Sequence, residues 1–250
     1  MHLKGNPMSE ERAPITFHLE ELRWRLIVCF AAWLLGSIIS YIYAEDIIAV
    51  LSAPAGKLYF LNPAEVFFSY LEVAAFTGFL GTLPIHCFEF WRFLRPALRG
   101  GEVTTALWFI PSALLLFYGG SAFAFFFVLP AAVQFFMGFA TAFLQPMFSL
   151  ASYLSFFIAF LLPFALGFEL PLVLLVLSRL GLVTPAMLRA KRRVFVLLAF
   201  VFAGVVSPTT DIFTQTCIAV PMIVLYEGTI IVMKVTNRES RKNDEKGGET

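Results

Sequence analysis

Six apolar stretches follow one another along this chain, most of them as long as a bilayer is thick, with short polar connections between them. They occupy residues 26–44, 68–90, 105–129, 151–178, 194–206 and 212–233. A hydrocarbon layer of about 30 Å takes roughly 20 helical residues to cross. It offers no water to backbone amides, so only helices or closed barrels span it. Continuous apolar runs, rather than ten-residue alternation, speak for helices. The sequence therefore predicts an all-α integral membrane protein with six transmembrane helices. The share of charged residues agrees: 14% against about 25% in soluble domains.

The basic residues set the expected orientation. Arg23 and Arg25 precede the first span, Arg92, Arg95 and Arg99 follow the second, Arg179 and Arg189–Arg193 follow the fourth, and five more lie after residue 233. Only Lys57 falls on the other side. Lysine and arginine are retained on the cytoplasmic side, so both termini are expected there. The domain reading is a cytoplasmic tail and interfacial turn over residues 1–25, a six-helix unit over 26–233, and a disordered cytoplasmic tail over 234–250. Residues 1–25 lack the apolar core of a cleavable signal peptide. Three cysteines, all within apolar segments, indicate no disulfide framework.

The spans are unequal, and the inequality predicts shape. VFVLLAFVFAGVV holds too few residues to fill the membrane, so the last two helices are expected to be short. Pro208 should end the fifth, and Asp211 should cap the sixth. Pro163 and Pro171 interrupt span four and should kink it. Together these predict a concave, partly hydrated face. Between spans one and two, the run DIIAVLSAP is expected to lie along the interface. Residues 130–150 are read as a loop.

Four glutamates fall inside spans: Glu72, Glu89, Glu169 and Glu227. A charge at the membrane centre costs on the order of 2.5–3.5 kcal/mol on insertion scales. Glu169, in GFELPLVLL, is the deepest. It is either an internally hydrogen-bonded side chain or a group lining a wet cavity, and the second reading is the default for an intramembrane acid. In FHLEELRWRL, Glu21 and Arg25 stand i, i+4 and could pair, with Trp24 as an interfacial anchor. Topology accounts for the arginines of FWRFLRPALRGGE but not for Glu102. No HExxH, GxSxG, P-loop or dinucleotide fingerprint occurs, so catalysis, cofactors and nucleic-acid binding are not expected.

Several of these stretches are similar, in order, to a known family. HLEELRWRL, FWRFLRPAL, ASYLSFFIAFLLPFALGFELPLVL and SPTTDIFTQTCIAVPMIVLYE resemble the TatC subunit of the twin-arginine protein translocase. The likeness runs over nearly all of residues 14–233. It implies a receptor in the cytoplasmic (inner) membrane for twin-arginine signal peptides. With TatA- and TatB-type single-span partners and other copies of itself, such a receptor exports folded proteins using the proton-motive force. It also implies that Glu21 and Glu102 receive the arginines beside Arg23 and Phe93, that Glu169 is an intramembrane polar site, and that Pro54, Asp211 and Gln215 serve extracytoplasmic or partner contacts. The chain departs from the family pattern where Thr209-Thr210 stands for prolines and ALRGGE replaces a more polar loop. A proton-coupled transporter using Glu169 would call for an inverted repeat, and none is visible. A ligand-free scaffold leaves Glu102 and Glu169 without purpose.

Overall fold

The computed structural model describes residues 15–94 and 103–247, except 142, 144, 208 and 210. Among these residues the chain forms ten α-helices and one π-turn: α1 Ile15–Ile42, α2 Ala44–Leu51, α3 Pro63–Leu94, α4 Val103–Phe123, the π-turn Ala124–Val128, α5 Leu129–Met137, α6 Leu150–Phe168, α7 Leu170–Arg179, α8 Pro185–Ala190, α9 Arg192–Val206 and α10 Ile212–Gly247. Among the described residues the β-structure is a single bridge between Tyr59 and Ser149. Among the described residues, five helical segments are long and apolar enough to cross a membrane. The expected fifth span is α9, whose 15 residues make about 22 Å of helix.

α6 is the hub. Its Phe157, Phe160 and Phe164 are buried against Phe76 of α3, Ala124 and Val128 of the π-turn, Ala199 and Ala203 of α9, and Ile218 and Ala219 of α10. α1 docks on α3 through small residues. A Cβ built on Gly78 would stand 2.4 Å from the backbone nitrogen of Ser37, and one on Gly36 would stand 2.8 Å from the Gly78 carbonyl oxygen. Helices in lipid associate by such close approach of small residues. Alongside it, Trp33 Nε1 donates to the Ala75 carbonyl at 2.8 Å.

Several boundaries differ from expectation, each for a physical reason. The third span does not end near 129; it continues to Met137, so the loop begins only at 138. Pro130 should have stopped it. Instead the π-turn carries the chain past: the Leu129 N–H donates to the Ala124 carbonyl, five residues back, which accommodates the lost donor. The run at 46–54 is helical, as α2, but does not simply lie in the interface. Ile47, Ile48 and Leu51 pack onto Val73, Val133, Leu150, Tyr153 and Leu154 of the bundle. The first span is continuous with the expected interfacial turn, since α1 starts at Ile15.

The last helix is not short. Its apolar part, Ile212–Val235, has 24 residues, or about 36 Å. The backbone then stays helical to Gly247, where a disordered tail was expected from 234; no proline interrupts KVTNRESRKNDEK, and most of its residues are good helix formers. Span four breaks where expected: α6 ends at Phe168, α7 begins at Leu170, and Glu169 sits between them.

Candidate functional site

At one end of the bundle, the start of α1 meets the finish of α3. Glu21 and Arg25 lie one turn apart on α1, and the Arg25 guanidinium pairs with the Glu21 carboxylate, as the spacing predicted. Arg25 also reaches across to α3, donating to the Glu89 carbonyl at 3.2 Å and approaching its Oε2 at 3.4 Å. Glu89 Oε1 accepts from Arg92 at 3.3 Å. The side chains of Arg25 and Glu89 are 11% and 9% exposed, so this ladder is largely out of water. Phe93, one turn beyond Glu89, is 37% exposed. Arg23 is also exposed. It lines a shallow groove with Leu22, Leu26, Ile27 and Phe30, immediately beside Glu21. Three of the four residues expected at a signal-peptide site, Glu21, Arg23 and Phe93, thus stand at this end. Glu102, with Arg95 and Arg99, lies outside the described residues.

The four intramembrane glutamates now separate. Glu72 accepts from the Ser155 hydroxyl at 3.0 Å, Glu89 holds Arg25 and Arg92, and Glu227 pairs with Arg192 at 2.5 Å. Of these four, only Glu169 has a carboxyl with neither hydrogen bond nor ion pair among the described residues. It is half-buried. The break places it there. Pro171 cannot donate to the Gly167 carbonyl, and the chain turns at Glu169, whose own N–H bonds Leu166 O at 3.1 Å. α4 closes against the break, with Gly120 so near Phe168 that a Cβ would stand 2.7 Å from the ring. The sequence offered no sign of the Ser155, Arg25 and Arg192 partners, because each lies on another helix.

The remaining expected site residues are spread over other connections. Pro54 is half-buried in the turn after α2, where the Ala55 and Gly56 N–H groups both bond Ser52 O at 3.0 Å. Gln215 Nε2 donates to the Phe200 carbonyl at 2.8 Å. It thereby clamps α10 to α9 where Gly204 leaves room; a Cβ on Gly204 would stand 2.9 Å from that nitrogen.

Asp211 caps α10 as predicted: its Oδ2 accepts from the Thr214 N–H at 2.7 Å and its Oδ1 from the Thr214 hydroxyl at 2.8 Å. Partial burial works against its charge, but these hydrogen bonds prevail and hold the carboxyl below the ordinary aspartate range. The sign follows. A depressed folded-state value stabilises the protein above the unfolded value of about 3.9 and ceases to do so as pH falls through the folded one. Asp211→Ala is therefore expected to cost about 1 kcal/mol at pH 7, read as a Tm lower by about 2–4 °C. The gap from the wild type should narrow below about pH 4. A gap that stays constant down to pH 3 would contradict the assignment.

Known proteins are similar to this chain in sequence and fold. Residues 17–221 match the family model of the Sec-independent protein translocase protein (TatC). A relative of that description from Aquifex aeolicus is 35% identical over 237 residues, 92% of this chain and 98% of the relative. One from Desulforapulum autotrophicum is 36% identical over 96% of this chain and 91% of the relative. Among solved structures, a crystal structure described as the twin-arginine translocase receptor TatC superposes with a TM-score of 0.79 at 35% identity, covering 88% of this chain and 99% of that one.

Proposed function

Because this chain belongs to the TatC family of Sec-independent protein translocase proteins, we propose that it is the receptor core of a twin-arginine translocase. It is a multi-pass membrane protein and a transport component, not an enzyme. In this reading it crosses the cytoplasmic (inner) membrane six times, α9 incompletely, with both termini in the cytoplasm. It captures twin-arginine signal peptides and works with TatA- and TatB-type single-span proteins and further copies of itself. Export of folded cargo then draws on the proton-motive force.

The observation that carries this reading is the seam between α1 and α3. Glu21 is set there by Arg25 one turn from its own groove, with Arg23 and Phe93 at the same end. A guanidinium always carries its charge and pairs with carboxylates in two parallel hydrogen bonds. An end rich in lysine and arginine repels a pair of arginines unless acids are presented locally, and Glu21 with Glu102 supplies two. The adjoining apolar lining of Leu22, Leu26, Ile27 and Phe30 suits the greasy segment that follows such a motif.

Glu169 is the second element of the proposal. Three of the four intramembrane acids are satisfied within the described chain, and this one is not. We assign it to a concave face flanked by the α6–α7 break and the short α9, meeting the apolar part of the signal peptide or the polar edge of a partner helix. Pro54, Asp211 and Gln215 then shape the surface offered to partners at the other connections.

A photoactivatable residue at position 21 or 102, in native membranes, should crosslink a twin-arginine signal peptide and leave a twin-lysine peptide uncaptured. Equal labelling by both peptides, or labelling by neither, would remove the receptor assignment.

A further inference from the structure

The Glu21 carboxylate is already occupied in this structure, by Arg25 of the same helix. That occupant matters to any incoming arginine. Arg25 is 11% exposed, and its guanidinium lies between two carboxylates: Glu21 on its own helix, Glu89 on α3. Its Nε is buried and has no partner among the described residues, so one of its five donors is left over there in the resting arrangement. Glu89 is itself buried and reaches Arg25 twice, through its carbonyl at 3.2 Å and its Oε2 at 3.4 Å. The contact to Oε2 is long and has room to tighten.

We propose that Arg25 is an internal stand-in for the peptide's guanidinium and that Glu89 is a positioning residue that lets it yield. The proposal rests on the receptor reading of Glu21. A peptide arginine taking Glu21 displaces Arg25, and a nearly buried guanidinium cannot be left without a counter-charge. Glu89 supplies that charge within the same ladder, so Arg25 exchanges one carboxylate for another without returning to water. Arg92, on the outer side of Glu89 at 3.3 Å, holds that carboxylate in place while the exchange occurs. An ammonium lacks the planar fork with which a guanidinium can hold both oxygens of a carboxylate at once. The stand-in therefore discriminates against lysine as well as delaying arginine.

The test is binding of a fluorescent twin-arginine signal peptide to the full-length protein in nanodiscs, with a twin-lysine peptide alongside. Glu89→Gln should weaken twin-arginine binding about tenfold, because Arg25 then has only Glu21 to hold. Adding Arg25→Gln to that variant should restore affinity to within about twofold of wild type and reduce the arginine-over-lysine preference, since the competitor is gone. Thermal unfolding of each variant reports whether the fold survives. Wild-type affinity in Glu89→Gln overturns the inference. So does a double variant as weak as Glu89→Gln alone, which is what a merely structural role for Glu89 would produce. Glu21→Gln separates the two levels: loss there beside normal binding in Glu89→Gln sinks the stand-in alone, whereas undiminished binding in Glu21→Gln sinks the receptor reading too.

Discussion

Glu21→Arg and Glu102→Arg should each reduce capture of a twin-arginine peptide by about 100-fold or more, while Glu245→Arg in the tail leaves it unchanged. Breaking one partner of a close, desolvated ion pair costs about 2–5 kcal/mol, and reversal adds repulsion at an end already crowded with lysine and arginine. For Glu21 there is an additional consequence. Arg25 stands one turn away on the same helix and pairs with it, so an arginine at 21 would face another guanidinium along α1. Glu245 carries the same formal charge but sits far along the tail, where ions screen it within about 8–10 Å. Equilibrium binding of one labelled peptide to the three variants measures the difference. If all three keep wild-type affinity, charge at the α1–α3 seam has no part in recognition.

Gly78→Val should be the most damaging single change to the fold. The Cβ would stand 2.4 Å from the Ser37 nitrogen, 2.6 Å from the Ser37 Cα and 2.7 Å from the Gly36 carbonyl carbon. These are backbone atoms of another helix and cannot swing aside, so α1 must shift bodily. Overpacking costs about 1–3 kcal/mol where side chains can adjust, and this contact belongs at or above the upper figure. A fall in Tm of about 6–12 °C in detergent is the expected reading, with α1 becoming sensitive to protease. Gly81 supplies the control. It lies on the same helix, a Cβ there would meet nothing within 4 Å, and Gly81→Val should change Tm by less than about 2 °C. Peptide capture should also fall in Gly78→Val, because the same docking brings Arg25 of α1 to Glu89 of α3. Equal stability in the two valine variants would refute the close approach.

Much of the fold was legible from local properties. The membrane class followed from transfer energetics summed over each apolar run, the Asp211 cap from its place after a proline and before a helix, and the break at Glu169 from Pro171. The Glu21–Arg25 pair followed from i, i+4 spacing. Where the local rule met a tertiary contact, it gave way. The third span was expected to end at 129, yet the π-turn Ala124–Val128 packs Ala124 and Val128 into the core around α6 and carries the helix past Pro130. The run at 46–54 was read as interfacial, yet the bundle offered its apolar face a better surface than headgroups.

The sequence by itself determined which solvent surrounds this protein and where its helices bend, because burial preference, capping and the missing proline donor act over one or two turns. Only the tertiary structure decided which acids are satisfied. Arg25 and Glu89 are 64 residues apart, Ser155 and Glu72 83, Arg192 and Glu227 35, and no periodicity within one helix encodes a partner on another. Those pairings arise from which helix faces meet, and that is set by the fit of backbone to backbone at places such as Gly36 and Gly78. Depth along the sequence already set Glu169 apart; that its carboxyl, alone of the four, has no partner among the described residues was decided by those pairings.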